Sequence, residues 1–375
     1  MKHSFTPTIK DILAKHFKND SEQIFQNSEL LKYINLKTKS ADKGSKSRAS
    51  FGNLYAIFVL VEDYVEGGFH ESGDYSKYEG AKFSDLFRRQ RELPFGNKLQ
   101  NHALNQRMNE EFKKFFPTCD YIPIIRVVET KRYWINQNLI KINANGKTFN
   151  IAEAIVEIIN EYAKTKKSAF EEFIDTCEQL KTIEKKETAK VKEFILSLLK
   201  PKIDARIFEI VSFAILRYSY HSKIIYWGYG VIPDEFGRVE NVFRENLELY
   251  KTGRTNANDG GIDFVMKPLG RFFQVTETTD VKKYFLDIDK LKKFPITFVI
   301  KSTDSEDELK DRIKQGAIEQ YSVEQVVEKY MDCVEEIINI AKLKSLLDKV
   351  DDEGNLGKVL SEIIVQSKVE FNYED

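Results

Sequence analysis

Early in the chain the apolar residues recur at helical spacing: Leu54, Ile57, Phe58, Leu60 and Val61 mark a helix that follows a lysine- and serine-rich stretch, 37–48. That stretch has almost no apolar content and reads as an exposed loop or arm. A Gly- and Asp-rich loop, 67–80, leads to two further helices, one starting at Ser84 and one running from about Lys98 to Phe116 before Pro117. Leu93-Pro94-Phe95-Gly96-Asn97 is the turn between them. Over 121–150 the pattern becomes β-like. Ile124-Ile125-Arg126-Val127-Val128 predicts a strand, and Tyr133-Trp134-Ile135 with Ile140-Lys141-Ile142 predicts a hairpin before the turn Asn145-Gly146.

Helical spacing returns at Ile151, Ile155, Ile158 and Ile159, and a Lys/Glu-rich stretch around 182–192 reads as a solvated helix joining two domains, with Pro201 at the boundary. Beyond it the periods alternate. A helix over 203–220 precedes a strand over 224–229, a loop with a short helix, and a hairpin pairing 262–266 with 272–276 across Pro268-Leu269-Gly270-Arg271. A helix from about 280 to 292, the apolar strand 296–300 and a mainly helical remainder, 304–368, complete the chain. The expected fold is mixed α/β (α+β), divided into 1–200, 201–303 and a helical extension 304–375.

The 375 residues are enough for two or three domains of ~100–200 residues. Lys and Arg number 58 against 59 Asp and Glu, interspersed along the chain, which excludes global disorder and a wholly basic coat protein. Any contact with a polyanion must therefore come from a local patch. Three widely separated cysteines, Cys119, Cys177 and Cys333, lack a CxxC or a nearby histidine, so neither a disulfide framework nor a zinc site is expected. With no apolar leader and no apolar run near the ~20 residues that span a bilayer, the expectation is a cytoplasmic protein. Five scattered histidines leave carboxylates, amides and lysines to carry any catalysis.

The most informative stretch is Asp259-Gly260-Gly261-Ile262-Asp263-Phe264-Val265, followed by Phe272-Phe273-Gln274-Val275-Thr276-Glu277. The glycines allow a tight turn into a strand whose first residue, Asp263, is a carboxylate among apolar neighbours. If residues 268–271 close a two-residue turn, Asp263 lies opposite Thr276 and Val265 opposite Gln274, so Asp263, Gln274 and Thr276 share one face. One Asp, one Gln and a peptide carbonyl suffice for Mg²⁺, which keeps several of its waters. Glu209, in the apolar helical segment Arg206 to Leu216, is a second candidate carboxylate for the same centre. Plainer roles stand beside these: Asp263 capping a turn, Glu209 on an exposed helix face, Gln274 satisfying a backbone group.

In this order, residues 202–301 resemble the PD-(D/E)xK nuclease superfamily, in particular restriction-endonuclease-like members with an Asp-Gly-Gly-x-Asp turn and a Gln-x-Lys strand. The resemblance implies a mixed sheet flanked by helices, with Glu209, Asp263 and Gln274 as Mg²⁺ ligands and catalytic residues. Thr276 stands where the family has lysine, so another cation is needed to orient the attacking water and offset charge. Lys282 and Lys283, just downstream, are the expected replacements, Lys283 slightly ahead, with Lys267 next; strand alternation points Glu277 away from Thr276.

Residues 82–107 form a local basic patch, with Arg88, Arg89, Arg91, Lys98 and Arg107 among the amides Asn101 and Asn105. Arginine reads guanine edges and asparagine reads adenine, so a helix-turn-helix with 131–149 as its wing is expected to bind double-stranded DNA. Two ordinary surface helices are the bland alternative. The expected activity is that of a type II restriction endonuclease, homodimeric on a palindromic site and paired genetically with a DNA methyltransferase. A methylation-dependent nuclease with the same core and a non-catalytic DNA-binding protein with a decayed core are the competing readings.

Overall fold

The computed structural model describes residues 2–39, 41, 48–72, 75–97, 99–182, 188–201, 203–228, 242–253, 262–277 and 281–371. The turn Asp259-Gly260-Gly261, Lys98, and parts of the arm 37–48 and of the stretch 182–192 lie outside them. Two compact units divide the chain after Phe173. The division falls within a long helix, Ala152–Lys181, and earlier than Pro201.

In the first unit α1 (Thr6–Phe17), α2 (Ser21–Asn27) and α3 (Glu29–Lys37) precede α4 (Arg48–Glu66). Residues 51–61 of α4 are all buried, so the apolar stripe seen in sequence belongs to a helix enclosed on every side. The short α5 (Phe69–Ser72) and β1 (Ala81–Lys82) lead into α6 (Phe83–Glu92), then a π-helical turn, Ala103–Arg107, continues into α7 (Met108–Phe115). Strand β2 (Ile124–Val127) forms as expected, but the wing does not. β3 (Arg132–Ile135) pairs with β1 and β2 instead of with 140–142. The cause lies at Asn136, whose Oδ1 accepts from the Asn138 N–H to start α8 (Gln137–Ile140), and that helical turn diverts the chain. Asn145 and Gly146, at φ 49° and 74°, then close a separate hairpin of β4 (Lys141–Ala144) and β5 (Lys147–Asn150). The helix Ala152–Lys181 is α9.

The second unit holds α10 (Thr188–Ser197), α11 (Ala205–Tyr220) and a separate two-stranded ribbon of β6 (Ile224–Gly228) and β7 (Val242–Asn246). Then come β8 (Glu248–Lys251), β9 (Phe264–Lys267), β10 (Arg271–Thr276), α12 (Val281–Lys290) and β11 (Ile296–Ile300). The remaining elements are α13 (Glu306–Tyr321), α14 (Glu324–Asp332), β12 (Val334–Ile338), α15 (Ile340–Asp352) and α16 (Leu356–Phe371). The principal sheet has the order β12-β11-β10-β9-β8, antiparallel from β8 to β10 and parallel from β10 to β12. The fold is therefore mixed α/β, as the alternating periods predict. Over 304–371 the chain is mainly helical but is not an extension of the sheet domain. These residues supply the edge strand β12, and α15 and α16 pack on α11. The five residues Val334-Glu335-Glu336-Ile337-Ile338 are too few to betray their period between long helices.

The two faces of this sheet are covered differently. Phe264 meets Phe213 of α11 at a ring distance of 5.1 Å. On the opposite face Phe298 meets Tyr284 of α12 at 4.9 Å, in a core completed by α13 and α14.

Candidate active site

Strand direction decides which residues meet. β8, β10 and β11 run the same way and end at Lys251, Thr276 and Ile300, while the antiparallel β9 begins at Phe264 beside them. Lys251, Asp263, Gln274, Glu277 and Lys301 therefore collect at one end of the sheet, the carboxyl end of its parallel strands, where α/β proteins place their ligands.

Asp263 lies just outside β9. Its N–H donates to the Phe273 carbonyl (2.9 Å), and its Oδ2 accepts the Val275 N–H at 2.7 Å. The carboxylate thus continues the hydrogen bonding of β10 where β9 stops, which is the capping role. The N–H and C=O of one strand residue point to the same side, so the Val275 carbonyl projects toward Asp263 as well. Gln274 Nε2 approaches that carbonyl at 3.4 Å, and its Oε1 is buried without a hydrogen-bond partner among the described residues.

The hairpin register differs from the expected one. Arg271 pairs with Met266, Phe272 with Val265 and Phe273 with Phe264, so Gln274, not Thr276, is next in line with Asp263. The loop has four residues, with Gly270 at φ 66° donating its N–H to Met266, rather than two. A slip of two residues preserves alternation, and Gln274 and Thr276 remain on one face, both buried.

Glu209 is not on that face. It pairs with Lys251 Nζ at 2.7 Å, and the two side chains are 7% and 10% exposed. Lys251 lies opposite Phe264 and so points to the α11 side of the sheet, whereas Gln274 lies opposite Phe298, on the α12 side. A second pair stands at the same end, with its lysine buried and its carboxylate open to solvent: Lys301, 3% exposed, bonds Glu277 Oε1 at 2.5 Å and also donates to the Ile203 carbonyl. Both pairs escape sequence reasoning because Lys251 ends one ordinary strand, Lys301 follows another, and nothing nearby marks either. For Lys301 the one signal is a charge directly after the apolar strand β11; Lys251 has none.

Lys282 and Lys283 sit exposed on the first turn of α12. Lys267 is at the hairpin tip, its Nζ 5.1 Å from the Tyr250 ring, at the far end of β9 from Asp263. Among the described residues no group of three or more His, Cys, Asp or Glu side chains could hold a metal. The donors that fit a hard cation are instead the Asp263 carboxylate, the Val275 carbonyl and the orphaned Gln274 Oε1, with water completing the shell.

The basic patch of the first unit is largely answered by local partners. Arg89 makes two 2.8 Å bonds to Glu62, which hold its guanidinium above its ordinary pKa. Arg88, 72% exposed, reaches Asp85 at 3.2 Å. Arg91 donates to the Asn97 carbonyl and stacks on Phe87, and Asn105 accepts from the Tyr133 hydroxyl. Asn101 is half-buried and Arg107 exposed.

Compared with known proteins, the chain matches no protein-family model, no curated protein and no solved structure. Among the described residues no helix is long and apolar enough to cross a membrane.

Proposed function

We propose that this protein is a Mg²⁺-dependent DNA endonuclease of the type II restriction class, acting at the end of the five-stranded sheet. The observation that carries the reading is the Asp263 carboxylate on the Val275 N–H, beside a buried Gln274 oxygen without a hydrogen-bond partner among the described residues. A buried acceptor without a partner costs about 1–3 kcal/mol, and a bound cation removes that cost. Asp263, the Val275 carbonyl and Gln274 would hold the ion. When bound, it polarises the scissile phosphate and lowers the pKa of a water. Glu209, held by Lys251 on the α11 side of the sheet, is not among the ligands, and Asp263 both caps β10 and fixes the geometry of the donors.

In the first unit, Arg88 and Arg107 are the exposed cations best suited to phosphate contacts. A homodimer fits cleavage of both strands of a palindromic site. The competing reading, a non-catalytic DNA-binding protein, is favoured by the uncharged, buried Thr276 and by Asp263 already serving the backbone.

The test is plasmid DNA, unmethylated and methylated, incubated with the purified chain and Mg²⁺ or EDTA. The expected result is discrete fragments that require Mg²⁺ and disappear in Asp263→Ala, with the DNA gel shift retained. Fragments from methylated DNA alone select the methylation-dependent nuclease. A gel shift without cutting selects the non-catalytic reading, and cutting by a folded Asp263→Ala protein removes this site from the chemistry.

A further inference from the structure

We infer that a cavity on the α11 side of the sheet binds a small organic anion, a carboxylate or phosphate carried on an apolar body. Among the described residues it measures about 360 Å³, within the size range of small-molecule sites, and lies between α11, β8 and α16. Helical spacing builds one wall: Glu209, Phe213 and Arg217 follow one another at four-residue steps along α11 and share a face. Leu249 and Lys251 share a face of β8 by strand alternation. Phe213, Leu249 and Val369 of α16 give the cavity its apolar lining. Lys251 is its enclosed cation, 10% exposed, and Arg217 its open one, 42% exposed.

Hydrogen-bond donors are in excess here. An ammonium has three and a guanidinium five. Among the described residues the Lys251 ammonium has one ionic partner, Glu209 at 2.7 Å, and Arg217 has one, Glu362 at 2.8 Å. The carboxylate that lines the cavity, Glu370, is itself approached by Arg206 at 3.6 Å. Each carboxylate around the cavity therefore has its own cation, and the N–H groups left over call for acceptors from a ligand. An oxyanion supplies them through charge-assisted bonds, which an enclosed lysine makes with little screening by salt. The lining decides the rest of the ligand. A bare phosphate would leave Phe213, Leu249 and Val369 against water, whereas an aliphatic or aromatic body removes that apolar surface from it. Lys251 and Gln274 face opposite sides of the sheet, so this cavity is separate from the proposed metal site and its test does not depend on DNA cleavage.

The test is a ligand-observed NMR titration of the full chain with phenyl phosphate and with benzoate, at constant ionic strength. Inorganic phosphate and benzyl alcohol serve as probes of the charge alone and of the body alone. At least one of the two organic anions is expected to bind saturably with a Kd on the order of 1 mM, the tighter one naming the oxyanion, and each single-feature probe at least ~10-fold more weakly. Two variants locate the site, with folding followed by thermal unfolding. Val369→Trp adds bulk to the apolar lining and removes no charge; Glu209→Met combined with Lys251→Met exchanges the enclosed ion pair for an apolar one. Each is expected to weaken binding by at least ~10-fold, and Val369→Trp decides if the double variant fails to fold. Lack of saturable binding by both organic anions, or wild-type affinity in a folded Val369→Trp protein, overturns the site. Wild-type affinity in a folded double variant, or inorganic phosphate binding as tightly as phenyl phosphate, overturns the assignment of an organic anion held by Lys251.

Discussion

The charged side chains of 82–107 and those at the end of the five-stranded sheet illustrate opposite uses of ionic groups. In the first unit the cations are concentrated in sequence but spread over the surface, and Arg88 and Arg89 meet carboxylates within reach of solvent. In the second unit Lys251 and Lys301 are far apart in sequence, yet both side chains are buried, Lys251 against a carboxylate that is buried as well. Surface pairs of the first kind contribute at most about 1 kcal/mol each, whereas buried ones cost several if a single partner is removed. Density of charge along the chain is therefore a poor guide to where charge matters; burial is a better one.

The sharpest way to break this contrast is at Glu209 and Lys251. Lys251→Met leaves Glu209 buried and uncompensated, and should destabilise the second unit by about 3 kcal/mol, read as a shift in its urea midpoint. Adding Glu209→Met should restore much of the loss, since an apolar pair of similar volume fills the same space. A loss below about 1 kcal/mol in the single variant would place the pair with the surface bridges.

A smaller effect sharpens the contrast from the other side. If Arg88 and Arg107 each touch a phosphate, alanine at either should flatten the slope of log K against log salt by ~0.9. Arg89, already doubly bonded to Glu62, should leave the slope unchanged. Equal slopes for all three variants would reduce the patch to a solvated face.

The smallest expected effect is at Glu157, whose carboxyl is held below its ordinary range by hydrogen bonds from Lys15 and His16. A depressed carboxyl contributes stability above its unfolded pKa and loses it as pH falls through the folded value. The deficit of Glu157→Gln should therefore be present near neutral pH and shrink below about pH 4, as followed by the thermal midpoint of the first unit. A deficit independent of pH would assign the contact to packing alone.

What could be read from the sequence follows from the same physics. Alternation put Gln274 and Thr276 on one face even though the hairpin register slipped by two, because face depends only on parity. Strand β11 was readable as a solid apolar run, while β12 was not, lying as five residues between helices. The place of Glu209 depends on Lys251, a partner on another element, and no local pattern encodes it. The missing wing came down to one side-chain hydrogen bond at Asn136.

The packing of α15 and α16 on α11 bears on how the protein is made. Arg206 of α11 approaches Glu370, and Arg217 bonds Glu362 at 2.8 Å, so both arginines of the helix that carries Glu209 find their ionic partners on α16, late in the chain. β11 likewise gains its outer neighbour only when 334–338 have emerged from the ribosome. Domains tend to fold in order of synthesis, so the first unit can be complete while the second still lacks the segments that close over its sheet. A nascent chain of this kind carries a finished first unit beside a second whose sheet stays open on one edge until 334–371 have been made.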